Sequence, residues 1–287
     1  MTDQASAAVP VDVLVCVKRV PMVGGRVALT ADGQDVDTRL SGFTVSPHEE
    51  CAVEEAVRIT ERVGGTVTVL TLGPPEAAEQ LRDLLALGAH RGVLLETDGR
   101  EWGPIATAAA IEQAIRDLQP AAFPLILFGN EAADTGDYQV GVRVAHLLAR
   151  PCATGIKRLE LTGTGLRAGR ERGAAHEVFE LPLPAVISVK EGINLPRYPS
   201  LPGRLRAKRA EITVLQPRWQ AEGLRKTGLR VPATASRPAQ LLGNGVAAVP
   251  ELIRVLGELG LLPSAARLAA ADPVAADPAT AGTGPRT

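Results

Sequence analysis

The fold of this chain is decided by residues 66–95, which begin Thr66-Val67-Thr68-Val69-Leu70-Thr71 and end Gly92-Val93-Leu94-Leu95. Both ends are short apolar runs and the first is rich in β-branched residues, a pattern typical of buried β-strands. Between them the sequence predicts a turn at Gly73-Pro74 and a helix over 77–87. A strand, a helix and a strand at this spacing predict a right-handed βαβ unit with parallel strands.

The same alternation extends in both directions from this unit. Further strands are predicted at 11–17, 123–128 and 185–190, and further helices at 47–59, 103–118 and 138–149. Residues 21–45 predict a hairpin or a long loop, and residues 156–172 predict a β-hairpin excursion. The sequence therefore predicts an α/β fold with a doubly wound, mostly parallel sheet that helices cover on both faces.

Composition excludes several classes of protein. The chain has 287 residues with 45% hydrophobic composition, which is enough for one large core. A net charge of −1 and only 3% aromatic residues argue against nucleic-acid binding and against attraction to an anionic membrane. Neither a signal peptide nor a membrane span of roughly 18 apolar residues is present in the sequence. We therefore expect a soluble protein of the bacterial cytoplasm.

The sequence predicts no catalytic residue and no metal centre. Three cysteines lack the paired spacing of a disulfide framework or a zinc site, and four histidines are scattered. His48 and Cys51 are close in sequence, but at a helix start this spacing more often reflects packing than a nucleophile and its base. An enzyme that uses Asp134 and Asp137 with a metal is the weakest alternative, because no other ligands accompany them.

The segment 129–141 is the strongest candidate for a binding site. Ligands of open parallel sheets bind outside the carboxyl ends of the strands, and this segment joins a predicted strand to a predicted helix. Its three glycines permit close backbone approach, and a helix start offers free N–H groups to a phosphate. Its polar side chains suit a ribose or an adenine edge. GxGxxG and P-loop motifs are absent, which disfavours a dinucleotide Rossmann site and a Walker-type NTPase, and a plain turn remains the alternative.

A proline-rich segment follows the strand at 185–190. Three prolines within 192–203 prevent a helix or a central strand from continuing, so the sequence predicts a stiff extended arm. The arm still carries Ile193, Leu195, Tyr198 and Leu201. These apolar residues favour docking, either on this chain or on a partner. The basic run 204–209 is interpreted as a solvated surface, because it lacks interleaved aromatic residues.

The C-terminal part has a different character. Residues 213–263 predict an extended arm that ends in an amphipathic helix at 249–259, and a partner subunit is a natural place for its apolar face. Residues 264–287 are rich in Ala, Pro, Thr and Asp and predict disorder. We therefore divide the chain into an α/β nucleotide-binding domain (1–212), a partner-docking arm and a tail.

Five segments, in order along the chain, resemble the electron-transfer flavoprotein beta subunit family. They are Val15-Cys16-Val17-Lys18-Arg19-Val20-Pro21, the run from Ser46-Pro47-His48-Glu49-Glu50 to Arg58, Leu85-Ala86-Leu87-Gly88-Ala89-His90-Arg91-Gly92, the loop 129–141, and the block from Leu183 to Asn194-Leu195-Pro196-Arg197-Tyr198-Pro199-Ser200-Leu201. The likeness spans about residues 11–212, which makes it far more specific than any one motif.

The resemblance implies an adenine-nucleotide alpha-hydrolase-like fold and an electron-carrier subunit rather than an enzyme. Such a subunit pairs with an alpha subunit that holds most of the FAD, and the beta subunit itself binds AMP or, in some relatives, a second FAD. Electrons would come from acyl-CoA dehydrogenase-like donors and go to a membrane quinone oxidoreductase. The alternative is a stand-alone adenine-nucleotide-binding signalling or stress protein, which would leave the arm and the terminal helix unexplained.

The resemblance also implies site residues. For the nucleotide they are Cys16, Ser46, Leu72, Gly129, Asn130, Glu131, Asp134, Thr135, Gly136, Asp137, Tyr138, Gln139 and Val140, with Val23 and His48 towards the flavin. The family's recognition loop corresponds to residues 190–203, where Ile193 matches the apolar anchor and the other docking residues are Leu195, Pro196, Arg197 and Tyr198. Ser46 stands where Asn is usual, Leu195 replaces a usual Glu, and residues 173–175 depart from a usual turn. Ligand and partner choice therefore stay open.

Overall fold

A computed structural model describes residues 9–22, 24, 27–118, 123–163, 165–221, 223, 226–232 and 239–262. The chain forms two compact units, the first ending at Val231 and the second beginning at Pro232. The sequence-based division falls earlier, after residue 212. The predicted disorder of 264–287 concerns residues outside those described.

The first unit contains every strand of the described chain. In chain order the strands are β1 (Val13–Val17), β2 (Arg19–Pro21), β3 (Phe43–Val45), β4 (Val67–Gly73), β5 (Arg91–Glu96), β6 (Leu125–Gly129), β7 (Cys152–Ile156), β8 (Arg158–Thr162), β9 (Gly165–Arg172), β10 (Ala175–Pro182), β11 (Ala185–Val189) and β12 (Ile212–Leu215). Its helices are α1 (Pro47–Val63), α2 (Ala78–Leu87), α3 (Pro104–Asp117), α4 (Val140–Leu147) and α5 (Leu201–Arg209).

Seven strands form one parallel sheet in the order β12-β5-β4-β1-β6-β11-β7. Helices α1, α2 and α5 pack on one face and α3 and α4 on the other, so that two apolar layers enclose the sheet. Strands β1 and β11 are buried at every position, which explains their continuous apolar sequences. The predicted doubly wound α/β fold is confirmed.

The smaller sheet is antiparallel and has the order β10-β9-β8. The sequence predicts its β8–β9 hairpin but not the third strand, β10. Phe179 and Leu181 of β10 pack against the core, while Val178 before them and Glu180 between them are exposed. Charged residues interrupt this alternation, and it is therefore weak in the sequence.

Helix α5 and strand β12 were not predicted. The expectation that the proline-rich stretch stays non-helical up to residue 203 is wrong for its last three residues. Pro202 lies in the first turn of α5, where its missing N–H breaks no helical hydrogen bond. Ser200 caps the helix by accepting a hydrogen bond from the backbone N–H of Gly203 at 3.1 Å. Strand β12 is only four residues long and lies at the edge of the main sheet.

Several described residues between 216 and 231 make specific contacts with earlier parts of the first unit. The indole N–H of Trp219 donates to the carbonyl oxygen of Glu101 at 3.0 Å, and the backbone N–H of Leu229 donates to that of Gly33 at 2.7 Å. Lys226 forms an ion pair with Asp35. These residues, predicted to lie in an extended arm, are therefore held by contacts within the first unit.

The second unit contains a short 3₁₀ turn (Gly245–Ala248) and helix α6 (Val249–Glu258), which confirms the helix expected near the C-terminus. No residue of α6 is buried. Arg254 forms ion pairs with Glu251 and Glu258 on the polar side. Across the described residues, we find no helix with the length and apolar character needed to cross a membrane.

Candidate functional site

The candidate site lies where the strand order reverses. From β1 the chain adds β4 and β5 on one side of the sheet and then places β6 on the other side of β1. The carboxyl ends of β4, β1 and β6 therefore meet at one edge, and the loops that leave them diverge. We call this edge the switch-point site. It brings together Cys16 at the end of β1, Leu72 at the end of β4 and the segment 129–140 that follows β6.

An ion pair spans the switch-point site. Lys18, the first residue after β1, places its Nζ 2.8 Å from Oδ1 and 2.7 Å from Oδ2 of Asp134 in the β6–α4 loop. Oδ1 of Asp134 also accepts the backbone N–H of Thr135 at 2.8 Å. Both charged side chains are partly exposed, and such pairs contribute about 0–1 kcal/mol. A ligand with its own negative charge can therefore compete with Asp134 for the Lys18 ammonium group.

An apolar layer lies beside these polar groups. Cys16 is buried, and the partly buried Leu72 and Val140 pack against the core layer to which Cys16 and Phe128 belong. Burial, with a smaller contribution from Glu49, raises the pKa of the Cys16 thiol. The thiol is therefore protonated at neutral pH and acts as an apolar wall rather than as a nucleophile.

The start of α1 forms the floor of the site. Ser46 is fully buried at the N-cap position, and its backbone N–H donates to Oε2 of Glu49 at 3.3 Å. Its hydroxyl donates to the carbonyl oxygen of Glu131 at 3.5 Å. Ser46 thus connects α1 to the β6–α4 loop, and its predicted contact with a nucleotide stays a prediction.

Sequence reasoning overlooked Glu49, which is only 6% exposed. Burial raises the pKa of its carboxyl to about 8, although hydrogen bonds from the backbone N–H groups of Lys18 and Ser46 act in the opposite direction. The spacing of Ser46 and Glu49 is that of a capping box, which is the signal that would have identified it. Glu49 therefore connects the end of β1 to the start of α1.

Gly129 is required by this close packing. A Cβ atom at this position would lie 2.5 Å from Cγ of Glu49 and 3.3 Å from Cβ of His48. The end of β6 can therefore approach α1 only without a side chain.

We expect Gly129→Ala to destabilise the chain by about 1–3 kcal/mol, because the start of α1 must move away from β6. Chemical denaturation measures this change. Gly163→Ala is the matched control, since a Cβ atom there would meet nothing within 4 Å. Equal stability of the two variants would contradict the packing argument.

His48 connects two loops of the site. Its Nδ1 accepts the backbone N–H of Glu191 at 2.7 Å, which leaves Nε2 to donate to Oε1 of Glu131 at 3.1 Å. Glu191 follows β11 and Glu131 follows β6, so the imidazole holds the two loops together. The predicted position of His48 beside a flavin stays a prediction, and Val23 lies outside the described residues.

The remaining predicted residues occupy the β6–α4 loop. Gly136 and Tyr138 both have left-handed backbone conformations, with φ of 57° and 58°, and the Tyr138 side chain is 57% exposed. The side-chain oxygen of Gln139 accepts two hydrogen bonds from Arg143, at 2.8 and 3.1 Å. The backbone N–H of Asn130 donates to the carbonyl oxygen of Val189 at 2.8 Å. The structure therefore gathers all the described members of the predicted nucleotide set at one edge of the sheet.

Comparison with known proteins identifies the family. A family model described as "Electron transfer flavoprotein domain" matches residues 36–218. A protein of Bacillus subtilis (strain 168) named "Electron transfer flavoprotein subunit beta" is 38% identical over 176 residues, which cover 61% of this chain and 67% of the relative. The protein of the same name from Mycobacterium tuberculosis (strain ATCC 25618 / H37Rv) is 33% identical over 246 residues, covering 82% and 92%. This chain belongs to the electron transfer flavoprotein beta subunit family.

A third member of this family, from Bradyrhizobium diazoefficiens, is 35% identical over 201 residues, covering 70% of this chain and 79% of its own length. Electron transfer flavoproteins carry electrons rather than convert a substrate of their own. The described residues contain no group of three or more His, Cys, Asp or Glu side chains that could hold a metal ion.

In this member of the family, the predicted recognition loop at 190–203 lies along α1. Ile193, the predicted anchor, is partly buried and packs against the chain's own core. Leu195 and Tyr198 are 84% and 95% exposed. Ile193 therefore packs on its own chain. The side chains of Leu195, Tyr198 and the 71% exposed Leu201 stay uncovered, and their docking on a partner stays a prediction.

Proposed function

We propose that this chain is the beta subunit of a heterodimeric electron transfer flavoprotein and pairs with an alpha subunit in the bacterial cytoplasm. Electrons enter from acyl-CoA dehydrogenase-like donors through FAD and leave to a membrane quinone oxidoreductase. The observation that carries the proposal is the 33% identity that extends over 92% of a named beta subunit. The match therefore extends beyond the core segments to nearly the whole length of that subunit.

We propose further that the switch-point site holds AMP or a second FAD, while the alpha subunit holds most of the shared FAD. The residues present suit an adenine nucleotide. Leu72 and Val140 offer an apolar surface, Asp134 and Asp137 offer acceptors for ribose hydroxyls, and Lys18 offers a cation to a phosphate. The bound flavin supplies the redox chemistry, and the chain's own residues bind, orient and exclude water.

Coexpression with the alpha subunit of the same organism tests this function. We expect a yellow complex with one copy of each chain, whereas the beta chain expressed alone serves as the colourless control. Mass spectrometry of the small molecules released by denaturation should then identify one AMP, or a second flavin, for each complex. A stable colourless monomer that gains no flavin from the alpha subunit, and binds ATP alone, would favour the stand-alone nucleotide-binding protein instead.

A further inference from the structure

The docking segment, residues 190–203, is fastened to α1 over several helical turns. The side-chain amide of Asn194 donates to the carbonyl oxygen of Cys51 and to Oε2 of Glu55, both at 3.0 Å. One turn later, Arg58 donates to the carbonyl oxygen of Leu195 at 3.2 Å. These bonds fix the backbone of a segment that has no helix or strand of its own before residue 201.

Glu54 lies at the centre of this attachment. Its side chain is 2% exposed, and Oε2 accepts the backbone N–H of Arg197 at 3.2 Å and its Nε–H at 2.9 Å. Oε1 accepts Nη2 of Arg197 at 3.2 Å and Nε of Arg58 at 2.5 Å. Burial raises the pKa of Glu54, but the hydrogen bonds from Arg197 and Arg58 outweigh it and leave the pKa below its ordinary value. The carboxylate is therefore charged and fully bonded.

This arrangement serves conformation more than stability. A buried ion pair often stabilises a protein no better than apolar residues of the same volume, and its best-attested effect is to select one conformation. Arg197 lies between Leu195 and Tyr198, the two most exposed apolar side chains of the segment. Because successive side chains of an extended chain point in opposite directions, holding Arg197 against α1 directs Tyr198 outward. Leu195 is held separately, since Arg58, which also bonds to Glu54, donates to its carbonyl oxygen and leaves its side chain exposed.

We propose that Glu54 is the positioning residue of the docking segment: through Arg197 and Arg58 it presents Tyr198 and Leu195 to the donor dehydrogenase in a preformed conformation. This inference rests on the proposed function. The sequence placed Arg197 among the partner contacts. In the structure its guanidinium group instead bonds to Glu54 of the same chain, and we call this pair the internal brace. A segment ordered before binding loses less conformational entropy on docking, so the brace increases the affinity for the donor. Glu54 contacts neither the cofactor site nor the exposed surface, so electron transfer within the docked complex should not depend on it.

The test compares Glu54→Gln with the wild type, each in complex with the alpha subunit. The donor is a purified acyl-CoA dehydrogenase, reduced by its acyl-CoA substrate, and the concentration of the flavoprotein is varied. We expect the KM for the flavoprotein to rise about tenfold, with kcat and flavin content unchanged, because one charged hydrogen-bond network has been weakened. Hydrogen exchange at residues 193–199 should become faster.

Glu61→Gln is the matched control. Glu61 accepts hydrogen bonds from the same Arg197 side chain at 2.6 and 3.0 Å, but its own side chain is 57% exposed. Loss of this solvent-exposed partner should change the KM less than twofold. If Glu54→Gln does not fold, Arg197→Gln breaks the same ion pair at its partly exposed partner. Arg197→Lys should give an intermediate KM, because lysine keeps the charge but lacks the planar guanidinium group.

Three outcomes separate the possibilities. A raised KM for Glu54→Gln and Arg197→Gln, with Glu61→Gln near the wild type, supports the inference. Faster hydrogen exchange with an unchanged KM overturns it, because Glu54 would then have only a structural role. Leu195→Asp tests the docking function independently, since an unchanged KM for that variant would overturn the proposed docking itself, whatever Glu54 does.

Discussion

Replacing Leu195 and Tyr198 together by aspartate is expected to lower the rate of electron uptake from a donor dehydrogenase about 100-fold at low flavoprotein concentration. The two side chains are 84% and 95% exposed, so each loses most of its accessible surface if a partner pocket receives it. Full burial of an apolar side chain contributes about 1.5–3 kcal/mol, and an aspartate in the same pocket adds a desolvation cost. Because neither side chain belongs to the core, the double variant should fold normally.

Stopped-flow mixing with a reduced acyl-CoA dehydrogenase measures the effect on electron uptake. Leu40→Asp is the control, because Leu40 is fully exposed and lies outside the docking segment. Flavin content must stay equal in all three proteins, so that the variants report docking rather than assembly. Unchanged uptake by the double variant would mean that residues 190–203 do not contact the donor.

Glu49→Gln is expected to remove a large pH dependence of stability. Burial raises the pKa of Glu49 from 4.5 to about 8, so between these values the folded chain holds a proton that the unfolded chain has lost. The stability that Glu49 contributes is therefore complete below about pH 4.5 and disappears as the pH rises through about 8. The corresponding free energy is on the order of 5 kcal/mol.

Glutamine keeps a side-chain oxygen that can accept the backbone N–H groups of Ser46 and Lys18, but it does not titrate. Chemical denaturation at pH 5, 7 and 9 should therefore show the wild type losing stability relative to Glu49→Gln as the pH rises. Glu76→Gln, a change at an exposed carboxylate, controls for the loss of one acidic group. Parallel pH profiles of wild type and Glu49→Gln would show that Glu49 does not take up a proton on folding.

The sequence predicted the elements that have strong local patterns. Strands such as β1 and β11 are continuous apolar runs because both of their faces are buried. The start of α1 is indicated by Ser46 at the N-cap and Pro47 in the first turn. The resemblance of five segments to a known family also predicted the family of the chain, and the comparisons confirm this prediction. The edge strand β12 and the helix α5 were missed because they are short, and because a basic, proline-containing run has little apolar periodicity.

By itself, then, the sequence determined a parallel α/β sheet, the loop at its carboxyl edge and an arm rich in proline and apolar residues. Only the tertiary structure decided which side chains of that arm, the docking segment 190–203, face solvent. Arg197 and Glu54 lie 143 residues apart in the sequence, and their pairing requires α1 and the segment after β11 to meet on one face of the sheet. The burial of Glu49 against Gly129 has the same origin. Contacts between distant segments have no local signature, because the burial and charge of each partner are set by the other.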